Sequence, residues 1–177
     1  ERLPAYRTSS IMIGSAGCAT GELILMYIAL VEPEIPQNTG NIARTCAATG
    51  TTLHLVKPLG FSTDDRYLKR AGLDYWSLVD IIYHDSLADF LASTSHLRRW
   101  FATTKGEQFY ANVRYEPEDM LVFGKETAGL PSEMLRDHAP YTIRVPIRAQ
   151  TRSLNLSNTA AVVLFEGLRQ CNFPGLV

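Results

Sequence analysis

Between Thr151 and Gln170 the chain reads TRSLNLSNTAAVVLFEGLRQ, a polar, irregular half that runs straight into an apolar helical half. Asn155, Ser157 and Asn158 crowd hydrogen-bonding groups into one turn, and Ala160 to Phe165 supplies the small and branched residues of a buried helix. Such a junction serves either as a ligand floor or as a capped helix start in which Ser157 or Asn158 accepts from backbone amides. Arg148 and Arg152 lie beside it, and two arginines near a polar loop can clamp phosphate or remain solvated. A second candidate is EPEIPQNTGNIAR, where Asn38, Thr39 and Gly40 open a helix whose free amides suit phosphate or ribose. Arg44 follows about one turn later, on the side of Gly40 or Asn41. TTKGEQ and GKETAGLP each put glycine beside lysine and threonine, but neither has the spacing of a phosphate loop, since Gly124 lacks a glycine five residues earlier and Glu126 follows Lys125. Gly124, Glu126, Gly129 and Pro131 would instead let backbone approach a small molecule, with Glu126 available to an ammonium or hydroxyl group. The histidines His54, His84, His96 and His138 show no metal-ligand spacing and read as structural or exposed.

These stretches need a scaffold, and the apolar pattern describes one. LMYIALVE, TLHLVK, LVDIIYH, RRWFATT, MLVFG and YTIRVPI are strand-like runs. Helical stretches alternate with them: Asn38 or Thr39 as N-cap through to Gly50 as C-cap, a charged turn over Asp64 to Ala71, SLADFLAST, PSEMLRDHA, and the final helix. That alternation predicts an α/β fold with a parallel-rich sheet covered by helices on both faces. In such a sheet ligands bind beyond the carboxyl ends of the strands, where the four polar stretches fall.

Composition sets the outer bounds. With 177 residues, 46% hydrophobic and 20% charged, the chain is globular and long enough for a core of its own. A formal charge of -1 excludes a wholly basic coat, so a nucleic-acid partner must meet a local basic patch. Cys18, Cys46 and Cys171 are unpaired in spacing, which suits a reducing cytoplasm, and no apolar run is long enough to span a bilayer. Residues 1–25 lack sustained periodicity and are expected to be a dispensable N-terminal extension; residues 26–177 read as one domain.

Taken in order, EPEIPQNTGNIAR, GFSTDDRYLKRAGLDYW, TTKG, FGKETAGLP and RVPIRAQTRSLNLSNTAAVVLFEGLRQ resemble the SPOUT superfamily of S-adenosylmethionine-dependent RNA methyltransferases, over about Tyr27 to Leu176. The resemblance implies a C-terminal deep trefoil knot, a homodimer, no metal, and 2'-O-methylation of the wobble ribose (cytidine or modified uridine at position 34) of tRNA, in leucine tRNAs. It implies that Ala102, Thr103, Gly124, Glu126, Val145, Ser153 and Leu154 hold S-adenosylmethionine, largely through backbone. Arg44, Asn38, Ser157 and Asn158 then take the catalytic positions, and Arg66, Lys69, Arg70 and Arg152 the RNA-binding ones. Phe165 and Trp76 depart from residues common among relatives, where tyrosine and histidine are found. The same motifs also permit an enzyme acting on ribosomal RNA, or a noncatalytic RNA-binding protein.

Overall fold

The computed structural model describes residues 26–62 and 75–177. The expected extension, the charged turn and the residues Arg66, Lys69, Arg70 and Cys18 lie outside that set. The elements in order are β1 (Tyr27–Val31), α1 (Pro36–Thr49), β2 (Thr52–Val56), β3 (Ile81–His84), α2 (Leu87–Ser93), β4 (Arg99–Ala102), β5 (Gln108–Phe109), β6 (Met120–Phe123), α3 (Ser132–Asp137), a 3-10 turn (Ala139–Tyr141), β7 (Thr142–Arg144) and α4 (Leu156–Gln170). They form one seven-stranded sheet of order β3-β2-β1-β6-β4-β7-β5, with every pairing of named strands parallel.

The inner strands are apolar on both faces because helices cover both. Along β1, Ile28 and Leu30 join a cluster with Ile42, Cys46, Val163 and Leu164 of α1 and α4. Ala29 and Val31 point the other way, into a cluster with Phe90 of α2 and Met134 of α3. β6 repeats the alternation, with Leu121 and Phe123 on the first side and Met120 and Val122 on the second. Continuous apolar runs are what a strand buried on two faces requires.

Three expectations are corrected. The N-cap position of α1 is Ile35, with Pro36 in the first turn, and Asn38 and Thr39 are buried inside the helix. Proline needs no partner for its missing N–H, so the helix begins earlier than the polar residues suggested. Gly50 does end it, left-handed at φ 69° with its N–H on the Cys46 carbonyl. α4 starts at Leu156, and residues 151–155 form an irregular lead-in. The seventh strand, β5, is only two residues long and was not expected; its pairing with β7 sets Gln108 beside Ile143 and Phe109 beside Arg144. Gly106 makes that pairing possible, because a Cβ there would lie 2.4 Å from the Ile143 carbonyl carbon.

Candidate functional site

β1, β4, β6 and β7 end on one edge of the sheet, and the segments leaving the last three enclose a cavity of about 790 Å³. Ala102, Thr103 and Lys105 after β4, Gly124 to Leu130 after β6, and Arg144, Val145 and Ile147 from β7 onward form its walls. Arg152, Ser153, Leu154 and Asn155 close one side, and Ile35 and Asn38 border it from α1. Apolar surface comes from Phe123, Leu130, Ile143 and Val163. The volume falls in the range of about 300–1,000 Å³ typical of small-molecule sites.

The loop after β6 is folded on itself. Gly129 is left-handed at φ 70°, its N–H bonds the Lys125 carbonyl at 2.9 Å, and Lys125 and Gly129 form an isolated antiparallel bridge. A Cβ on Gly124 would sit 2.2 Å from the Gly129 carbonyl carbon. Glycine at 124 is therefore needed for the chain's own close approach.

Glu126 fastens this loop to α1. Its carboxylate accepts from the Glu34 amide at 2.8 Å, the Ile35 amide at 3.2 Å and the Asn38 side-chain amide at 3.0 Å. Glu34 returns the contact, accepting from the Thr127 amide at 3.2 Å and hydroxyl at 2.7 Å. The Thr127 hydroxyl bond holds the Glu34 carboxyl below its ordinary range. Lys125 adds an ion pair with Glu32. Glu126 thus fastens the approach to α1 from 91 residues away in sequence, and its oxygens face donors of the same chain.

The chain of bonds continues. Asn38 accepts from the Asn155 side-chain amide at 2.9 Å, and the Asn155 side-chain oxygen caps α4 by accepting from the Ser157 amide at 2.9 Å and the Asn158 amide at 3.4 Å. The Ser157 hydroxyl donates to the same oxygen at 2.7 Å. The cap is therefore Asn155, with Ser157 and Asn158 as its donors; a capping acceptor must precede the amides it satisfies. One polar network joins Ser157, Asn155, Asn38 and Glu126, and so ties both helix starts to the cavity.

Of the residues assigned from the sequence, Asn38, Ala102, Thr103, Gly124, Glu126, Val145, Arg152, Ser153 and Leu154 line the cavity. Ser157 is buried just behind it and Asn158 is exposed on α4. Arg44 does not line it. Its guanidinium lies over the Tyr75 ring at 4.7 Å from the centroid, with Nη2 donating to the Tyr75 hydroxyl at 3.4 Å. Asn155, Thr127 and Glu34 are further participants without an expected role; the place of Asn155 directly before the Ser157–Asn158 turn was the one available signal. Among the described residues no group of three or more His, Cys, Asp or Glu side chains could hold a metal ion, and no helix is long and apolar enough to cross a membrane.

The residues present fit an S-adenosyl group: the cavity is large enough, the loops after β4, β6 and β7 bring glycine and other small residues to its wall, and apolar side chains complete it. The SpoU rRNA Methylase family model matches residues 25–165. A tRNA (cytidine(34)-2'-O)-methyltransferase of Yersinia pestis is 49% identical over 158 residues, covering 85% of this chain and 97% of that protein. A structure described as giving insight into the 2-OH methylation of C/U34 on tRNA is 43% identical with TM-score 0.80, covering 84% of this chain and 97% of the other. An AdoMet-bound rRNA methyltransferase from Sinorhizobium meliloti is 26% identical with TM-score 0.74, covering 85% of this chain and 58% of the other.

Proposed function

Because this chain belongs to the SpoU methylase family, we propose that it methylates the ribose 2'-oxygen of nucleotide 34 in tRNA, using S-adenosylmethionine. The observation that carries the reading is the cavity at the ends of β4, β6 and β7, in a chain 49% identical to a relative so named. The bound sulfonium supplies an electrophilic methyl with its leaving group already attached. The protein's own contribution is placement: Ala102, Thr103, Gly124, Val145, Ser153 and Leu154 present a fixed wall, and the Asn38–Asn155–Ser157 network fixes the two helix starts beside it. Holding two reactants in line is worth about 7–11 kcal/mol of barrier. A guanidinium is no general base, so Arg44 orients the hydroxyl and stabilises developing negative charge while a phosphate or water takes the 2'-hydroxyl proton. Arg44 and Asn38 are six residues apart on α1, roughly 9 Å along its axis, so the ribose reaches from the cavity along that helix. Ser157 and Asn158 complete the polar surround.

The same reading includes a homodimer, a trefoil knot and RNA contacts from Arg66, Lys69, Arg70 and Arg152. Val162 and Phe165, exposed on α4, support the dimer. The knot is supported by β7 lying between β4 and β5, with the chain then returning so that α4 packs on α1. Residues 1–25 are proposed to be dispensable, and residues 26–177 to be the methyltransferase domain.

The test is methyl transfer by the purified full chain to a panel of unmodified tRNA transcripts, with the modified nucleotide mapped by mass spectrometry. A 2'-O-methyl group at position 34 of leucine tRNAs is expected. Methylation only of ribosomal RNA, or cofactor binding without transfer to any RNA, overturns it.

A further inference from the structure

Positive charge is unevenly partnered in this fold. Among the described residues, Lys57, Arg98, Lys125 and Arg169 each have a carboxylate in reach. Lys105, Arg144, Arg148 and Arg152 are exposed and have none within ion-pair distance. These four are gathered in one place. Lys105, Arg144 and Arg152 line the cavity, and Arg148 lines a shallower depression that shares Ser153 and Leu154 with it. Glu126, the single carboxylate among the described residues of the cavity wall, is taken up by amides of the α1 approach and by the Asn38 side chain. The cavity mouth is therefore strongly positive on a chain whose formal charge is -1.

Arg144 has a further feature. Its guanidinium lies 4.7 Å from the centroid of the Phe109 ring, its register partner across the edge pairing of β7 and β5, and Phe109 is itself 40% exposed. A stacked guanidinium keeps its in-plane donors free for phosphate while losing side-chain freedom in advance. The four cations come from two segments, the loop after β4 and the stretch from the end of β7 toward α4, and none is held by a hydrogen bond to another. That arrangement suits the repeating charges of a nucleic-acid backbone, since a single small anion needs donors that converge.

We propose that Lys105, Arg144, Arg148 and Arg152 form a phosphate-contacting rim that seats the RNA substrate over the cavity mouth, with Arg144 set in place by its stack on Phe109. This deepens the methyltransferase reading and rests on it. It adds Lys105, Arg144, Arg148 and Phe109 to the RNA surface, on the β5 edge of the sheet.

The experiment measures binding of the full chain to an unmodified tRNA transcript across a series of KCl concentrations, for Lys105→Ala, Arg144→Ala, Arg148→Ala, Arg144→Lys and Phe109→Ala. Arg136→Ala, an exposed and unpaired arginine on α3 outside the cavity, is the control. Each phosphate contact removed lowers the slope of log K against log salt by about 0.7–0.9. The three charge-removing variants are expected to show that loss and weaker binding. Arg144→Lys and Phe109→Ala should keep the slope while binding more weakly, since charge remains and only the stack is lost. S-adenosylmethionine affinity, measured by calorimetry, should fall less than the RNA affinity in every variant. Slopes in Lys105→Ala, Arg144→Ala and Arg148→Ala equal to that of wild type or Arg136→Ala overturn the rim, and so does a cofactor affinity that falls as far as the RNA affinity. The methyltransferase reading fails separately, when wild-type protein binds cofactor and tRNA but transfers no methyl.

Discussion

Glu126 offers the sharpest test of how the cavity is held together. Replacing it with alanine removes an acceptor shared by the Glu34 amide at 2.8 Å, the Asn38 side chain at 3.0 Å and the Ile35 amide at 3.2 Å. Bonds to a charged acceptor contribute about 1.5–3 kcal/mol each. The Ile35 bond is solvent-exposed and long, so water replaces it at little cost. The other two are partly buried and belong at the lower end, giving about 3 kcal/mol for Glu126→Ala. For a domain of this size that corresponds to a fall in Tm of about 6–12 °C. Glu126→Gln should lose about half as much, because one oxygen still accepts while the new amide faces donors. Thermal unfolding of the protein without cofactor is the assay, followed by calorimetric titration with S-adenosylmethionine. Cofactor affinity should fall with Tm, since the loop fastened by Glu126 is a cavity wall. A Tm unchanged within 1 °C together with lost cofactor affinity would refute the reasoning, and would mean that the carboxylate serves the ligand rather than the loop.

Two further outcomes follow from contacts outside the cavity. Arg44→Ala should abolish transfer with cofactor affinity intact, and Tyr75→Ala should lower kcat about tenfold by releasing the guanidinium, whereas Tyr75→Phe keeps the ring and nearly full activity. Equal losses in Tyr75→Phe and Tyr75→Ala would assign the effect to the 3.4 Å hydroxyl contact instead. His54 and His84 are both buried, with facing ring nitrogens 2.9 Å apart, and the His54 Nε2 has no partner. Burial first, and His84 second, pushes His54 down to about 4. Unfolded His54 takes up its proton near pH 6.5 and folded His54 near 4, so this stability is complete above about pH 6.5 and is lost as pH falls toward 4. The loss amounts to about 3 kcal/mol over that window. Urea midpoints between pH 7.5 and 4.5 should therefore fall less steeply in His54→Gln than in wild type, and parallel curves would count against the assignment.

How much of this was legible in the sequence depends on how far apart the interacting groups are. The sheet was legible because β1, β2 and β6 are buried on both faces and so must be continuously apolar. The loops that bound the cavity were legible as strand ends. β5 was not, because two residues carry no periodicity; it exists because Gly106 lets the chain press against Ile143 and the Tyr110 amide reach the Arg144 carbonyl at 2.9 Å. Its consequence, Phe109 set beneath Arg144, was equally hidden.

The two helix starts mark the limit most clearly. Local rules place a capping oxygen within a few residues of the amides it serves, and at α4 such a residue exists, although Asn155 rather than Ser157 or Asn158 takes the role. At α1 no side chain caps the helix, and the acceptor that fastens its approach is Glu126, brought in by the neighbouring parallel strand β6, so no reading of residues 32–44 could have found it. The same displacement alters the chemistry read from the motif. Asn38 looked like a free polar group beside a helix start, yet its side chain both donates to Glu126 and accepts from Asn155. A residue so engaged on both sides acts by holding the cavity and both helices in one geometry. Under the proposed function, ligand recognition falls to backbone, to apolar walls and to the unpaired cations at the mouth, and such a local patch lets a chain of nearly zero net charge carry an RNA-directed site.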